Sequence, residues 1–182
     1  MGLFDFLFGS KNNDKNSYSS EIMIQLATKW TEDFLHSAPK LQSATYDKDE
    51  IYMYCCWITL DYGKNYGYLN KNSNLDVFFE SVCQAVRNTG EYNQTDMEQF
   101  KFRVEQYTWQ MNKMIQCDYP RTKMFFPETL FARFVHTDFD HYNPDPYGMD
   151  CIDDNLIQFT EYLGDFWNRV NREIMKKFPK RR

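Results

Sequence analysis

Asp47-Lys-Asp-Glu-Ile-Tyr-Met-Tyr-Cys-Cys-Trp-Ile-Thr-Leu60 is the stretch on which the fold turns. From Ile51 to Leu60 it is almost continuously apolar, and periodicity alone does not separate a buried helix from a buried strand in so short a run. Its composition and its start do. Few of its residues are β-branched, which weakens the strand. Asp47 can cap a helix, with Glu50 at the third helical position in the manner of a capping box. A helix with no polar face belongs in the middle of a bundle, with Gly63 and Gly67 marking its end.

The flanking sequence supplies partners for such a helix. Upstream, Ile22, Leu26, Trp30 and Phe34 recur every four residues, Met23 and Ala27 widen the stripe, and Pro39 stops it. Downstream, Ser73-Asn-Leu-Asp76 caps a pattern of Leu75, Phe79, Val82 and Val86 that closes at Gly90. Thr95-Asp-Met-Glu98 is a second capping box, followed by Phe100, Val104, Tyr107, Met111 and Met114 in register until Pro120. Pro127 opens a shorter element carrying Leu130, Phe131, Phe134 and Val135. The last pattern, over about 150–177, runs Ile152, Leu156, Phe159, Leu163, Phe166, Val170 and Ile174, and predicts a helix on the order of 40 Å long. The expected architecture is all-α: a single compact bundle of about six helices with a long C-terminal helix and short loops that make neighbours antiparallel. Residues 1–18 form an apolar N-terminal segment and polar tether, and 19–182 the single helical domain.

With 182 residues, 42% of them hydrophobic and 18% aromatic, the chain can bury a core without disulfides or a structural metal. No run approaches the roughly 20 apolar residues that cross a bilayer. The five cysteines, at 55, 56, 83, 117 and 151, are odd in number, include an adjacent pair and form no Cys-x-x-Cys. That pattern points to a reducing compartment, hence a cytoplasmic location. The opening residues lack the basic start and cleavage site of a secretory leader.

Charge is unevenly spread. Residues 176–182 hold five basic residues, so 1–175 carry 16 basic against 26 acidic, a balance of −10. A body of that sign repels nucleic acid and favours a basic protein partner. The tail charges suit a solvated helix end, where cations complement the dipole.

Chemistry concentrates in one segment. His136, Asp138, Asp140 and His141 open a fifteen-residue run holding two histidines and four carboxylates, a donor set that suits Zn, Fe or Mn. The same aspartates also serve as turn and N-cap residues before the last helix. A calcium loop is excluded, because counting from Asp138 puts Tyr142 at position 5, Asn143 at 6 and Met149 at 12. No nucleophile elbow, phosphate loop or His-Glu-x-x-His occurs. Cys117 and Cys151, at helix ends, are the thiols best placed to meet solvent and a histidine base. A tyrosine cluster at 52, 54, 62, 66 and 68 is expected to be core with hydroxyls reaching the rim, or to line a pocket. At the N-terminus, Leu3, Phe4, Phe6, Leu7 and Phe8 can dock on the body, meet a partner, or dip into a membrane surface as a peripheral anchor. Phe6 stands where a myristoylation pattern needs a hydroxyl.

These features support a non-catalytic, cytoplasmic interaction or regulatory protein, with an acidic inhibitor of the immunity or antitoxin type as its concrete form. The alternatives are a metal-dependent enzyme or sensor using 136–150, and a peripheral membrane protein held by residues 3–8.

Overall fold

A computed structural model describes residues 18–40, 45–69, 94–116, 127, 130–131, 133–135 and 154–180. The described part is compact and helical, without strands, and contains four helices: α1 (Ser20–Ser37), α2 (Lys48–Asn65), α3 (Gln94–Gln116) and α4 (Asp154–Lys177). Residues 127, 130–131 and 133–134 are also helical. The helix expected over 73–90 and the start of the last helix at 150–153 lie outside the described residues.

α2 is the central element that its sequence requires. Ile51 and every residue from Tyr54 to Leu60 are buried. Asp47 caps it as expected, its Oδ1 accepting from the Asp49 and Glu50 amides at 2.7 and 3.2 Å. The other half of the capping box is not made. Glu50 turns inward instead, where the Arg103 guanidinium and the Tyr107 phenol offer its carboxylate stronger bonds than a single backbone amide, and the Asp47 amide donates to the Phe134 carbonyl. Gly63 does not end the helix either; it lies within α2 as a close-approach residue. A Cβ there would stand 2.6 Å from the Leu69 side chain and 2.7 Å from the Tyr18 ring. Gly67, at φ +75°, supplies the left-handed residue just past the helix.

α1 runs antiparallel to α2. Tyr18 donates to the Thr59 carbonyl at one end, and Phe34 meets Tyr46 just before α2 at the other. Ala27 and Thr31 of α1, with Cys55, Cys56 and Thr59 of α2, are small and buried, which lets these two backbones approach closely. α4 is antiparallel to α1, with Glu173 bound to Lys29 and to the Trp30 indole while Tyr162 reaches Ser37. Large rings fill this contact. The α4 stripe is buried at Leu156, Phe159, Leu163, Phe166, Val170 and Ile174, as its periodicity demands.

α3 runs parallel to α2, as the expected up-and-down order with one helix between them requires. Glu50 pairs with Arg103, and Trp57 with Thr108, so α2 and α3 point the same way. Parallel neighbours need a long return, and residues 70–93 separate the two. Leu130, Phe131, Phe134 and Val135 are all buried against the same core.

Candidate functional site

The sequence-derived candidates fall largely outside the described residues. His136, Asp138, Asp140 and His141, the cysteines at 83, 117 and 151, and Leu3, Phe4, Phe6, Leu7 and Phe8 are all among them. Among the described residues no group of three metal-donor side chains converges, and no helix is long and apolar enough to cross a membrane. Cys55 and Cys56 are buried, and burial pushes the Cys55 thiol up to about 12, so both behave as small hydrophobes at neutral pH.

The tyrosine cluster divides in two. Tyr54 is core. Tyr62 donates to the Phe178 carbonyl and Tyr68 to the Pro179 carbonyl, so two phenols satisfy backbone groups just past α4. Tyr62 and Tyr66 stack at 4.3 Å, and Tyr18 closes the group 6.1 Å from Tyr62.

The outer faces of Tyr62 and Tyr66 form one end of a groove of about 740 Å³ between α2, the last turns of α3, and α4. Its walls are apolar and deformable: Tyr54 and Ile58 from α2, Met111, Met114 and Ile115 from α3, and Leu163, Trp167 and Met175 from α4. Methionine side chains adapt to whatever they meet, a property of surfaces that accept a partner. Ile115 and Met175 stand on the rim, 70% and 46% exposed. From Thr160 to Met175 the trough is about 22 Å long at 1.5 Å per residue.

Three asparagines, Asn65, Asn168 and Asn171, give it polar edges, and Asp61 is the single charged residue among the described lining. Partial burial raises the Asp61 carboxyl above its ordinary value, against the pull of Lys64 and a 2.9 Å hydrogen bond from Asn65. A carboxylate whose folded pKa is raised favours the unfolded chain once ionised. The penalty is absent below the unfolded pKa, near 3.9, and grows as pH rises through the folded value. Asp61→Asn is therefore expected to raise the urea midpoint at pH 7, with the gain shrinking toward pH 4; an equal or lower midpoint at pH 7 refutes the burial cost.

Gly164 is the feature that sequence periodicity passed over. It sits inside the 24-residue α4, where glycine costs about 1 kcal/mol relative to alanine. Close packing among the described residues does not account for it, since a Cβ at 164 would meet none of them within 4 Å. What surrounds it is the open groove. A lone helix-interior glycine amid an otherwise regular stripe was the available signal.

Comparison with protein-family models, with curated proteins and with solved structures yields no match.

Proposed function

We propose that this chain is a non-catalytic interaction protein whose groove between α2, α3 and α4 receives an apolar, cation-bearing helical segment of a basic protein partner. An inhibitor of the immunity or antitoxin kind, acting in the cytoplasm, is the form that fits its acidic body. The observation that carries this reading is the groove itself, with apolar walls from α2, α3 and α4, methionines at 111, 114 and 175, and Asp61 as the single charged residue among the described lining. Asp61 supports it, as an ionised group held at an energetic cost beside apolar walls, ready to pair with an incoming Lys or Arg. The trough length matches about four turns of helix, the helix-in-groove mode of recognition. The same proposal includes two further helices, over 73–90 and 127–135, completing a six-helix bundle.

The test uses a fifteen-residue amphipathic peptide of Leu and Lys as probe, with a Leu and Glu peptide as control. Binding is followed by the methyl resonances of Met111, Met114 and Met175. The Lys probe should move these signals and the Glu probe should not. Gly164→Trp, which projects into open space, should weaken the Lys probe at least tenfold while the fold is kept, whereas Gly164→Ala should stabilise the chain by about 1 kcal/mol. Equal binding of both peptides, or indifference to Gly164→Trp, overturns the proposal.

A further inference from the structure

The two ends of the bundle carry opposite charge. α2, α3 and α4 all run the same way: Trp57 pairs with Thr108 of α3 and lies 5.7 Å from Trp167 of α4, and five residues on Tyr62 donates to the Phe178 carbonyl. Their C-termini therefore gather at one end. Lys64, Lys113, Arg172, Lys176, Lys177 and Lys180 belong to it, against Asp61 and Glu21, while Glu173 is engaged by Lys29 and the Trp30 indole. Three helix C-termini add about −1.5 there and the start of α1 about +0.5, which leaves a surplus of about three positive charges. Complementing the helix dipoles accounts for only part of these cations.

The lysines are exposed, and among the described residues none of Lys113, Lys176, Lys177 and Lys180 forms an ion pair. Three of them stand over rings: Lys113 over Trp109 at 5.8 Å, Lys177 over Phe178 at 5.7 Å and Lys180 over Tyr66 at 5.8 Å. A ring face meets an ammonium on one side and leaves N–H donors for a further acceptor. The far end carries Glu32, Asp33, Asp47, Asp49 and Glu98. It lies about 27 Å away, the length of the 18-residue α2 at 1.5 Å per residue. Charges in physiological salt are screened over about 8 Å, so an anionic surface at the basic end does not feel the overall charge of −5.

Two apolar side chains at the same end choose among anionic partners. Ile115 and Met175, each within two residues of its helix end, are exposed beside these cations. Nucleic acid phosphates gain nothing from either, and the forked donor that suits them best, arginine, occurs once among the six. A bilayer uses both kinds of group: lysines bind anionic headgroups and apolar side chains enter the acyl boundary.

We propose that this end of the bundle is a docking face for an anionic lipid bilayer, on which the molecule stands with its acidic end outward. Lys113, Arg172, Lys176, Lys177 and Lys180 supply the attraction, and Ile115 and Met175 the insertion. Partner binding in the groove is not required for it.

The experiment is co-sedimentation of the full chain with vesicles of phosphatidylglycerol and phosphatidylcholine in equal parts, and of phosphatidylcholine alone. Binding is expected to the anionic vesicles only, weakening as salt is raised. Each lysine near an anionic surface strengthens binding about fivefold, so K176E/K177E/K180E should weaken it at least thirtyfold and K176Q/K177Q/K180Q, which adds no repulsion, at least tenfold. K40E/K48E/K101E makes the same change in net charge toward the far end and should leave binding within about twofold. I115S/M175S should weaken it several-fold. Equal losses from the two glutamate variants would make net charge the cause and overturn the proposal. So would failure to bind anionic vesicles, or vesicle binding that survives K176E/K177E/K180E and is lost in F4S/L7S/F8S, which would assign the membrane contact to residues 3–8. Unchanged binding in I115S/M175S together with equal affinity for a DNA duplex would make the end a general polyanion site, and overturns its assignment to lipid.

Discussion

Glu50→Gln is expected to lower stability by about 3–5 kcal/mol, the range for breaking a buried ion pair by removing one partner. Glu50 is the one carboxylate in a cluster with two guanidinium groups. Its Oε1 accepts from Arg103 Nε at 2.9 Å and Nη2 at 2.8 Å, and its Oε2 accepts from the Tyr107 hydroxyl at 3.1 Å. Arg133 lies over the Tyr107 ring, its guanidinium carbon 5.4 Å from the centroid, and donates from Nη2 to Gln106 Oε1 at 2.7 Å. Burial lowers the Arg133 pKa, and its Nη1 is buried without a hydrogen-bond partner among the described residues. The cluster already holds an excess of positive charge.

Losing the carboxylate leaves two cations facing each other in a poorly solvated space. Losing Arg103 leaves one cation and one anion. Arg103→Met should therefore cost clearly less than Glu50→Gln, and the double variant less than the sum of the two. Urea unfolding of the four proteins reads this directly. Equal single-variant losses would show that the net charge of the cluster is immaterial and that only the hydrogen bonds count. Because the pair joins α2 to α3, the loss should appear as a lower midpoint with an unchanged slope if unfolding is cooperative across both helices.

Glu50 also shows how far the sequence could be read. The spacing from Asp47 to Glu50 correctly located the start of α2, since a helix cap is a local device and local devices leave local patterns. The inward turn of Glu50 depends on Arg103 and Tyr107, more than fifty residues away, and no local pattern encodes that choice. The α4 stripe was legible for the opposite reason: six buried side chains on one face impose a period that any packing partner must respect. The parallel course of α2 and α3 agrees with the expected up-and-down order, in which one intervening helix reverses the chain twice. The groove was illegible as a unit. Tyr54, Tyr62, Met111, Met114 and Leu163 each satisfy the rule for a core-facing residue on their own helix, while Met175 stands exposed on the rim. Gly164 departs from helix propensity, and a single exposed glycine does not encode the groove beside it.

Phe34→Ala is expected to cost about 3–5 kcal/mol, the range for truncating a fully enclosed ring. Phe34 is 0% exposed and meets five other rings: Tyr46 at 5.7 Å, Phe134 at 5.5 Å, Phe159 at 6.4 Å, Tyr162 at 5.0 Å and Phe166 at 5.1 Å. Four of these contacts are edge-to-face, the geometry that sets the positive rim of one ring against the negative face of another. The neighbours come from the approach to α2, from the short helical stretch at 133–134 and from α4, so no single segment can shift to fill the void. Incomplete collapse is what places a site high in the observed range of losses. Phe34→Leu separates the two contributions, since it keeps most of the volume while removing the ring pairs. A loss of about 1–2 kcal/mol for leucine would assign most of the energy to burial and the remainder to aromatic geometry. A leucine loss as large as that of alanine would mean that ring-on-ring orientation, more than filled volume, fixes how α1 sits on α4. Near-UV circular dichroism distinguishes the cases independently, because the tyrosines at 46 and 162 report their own asymmetry. Under the burial account their signal persists in Phe34→Leu and fades in Phe34→Ala.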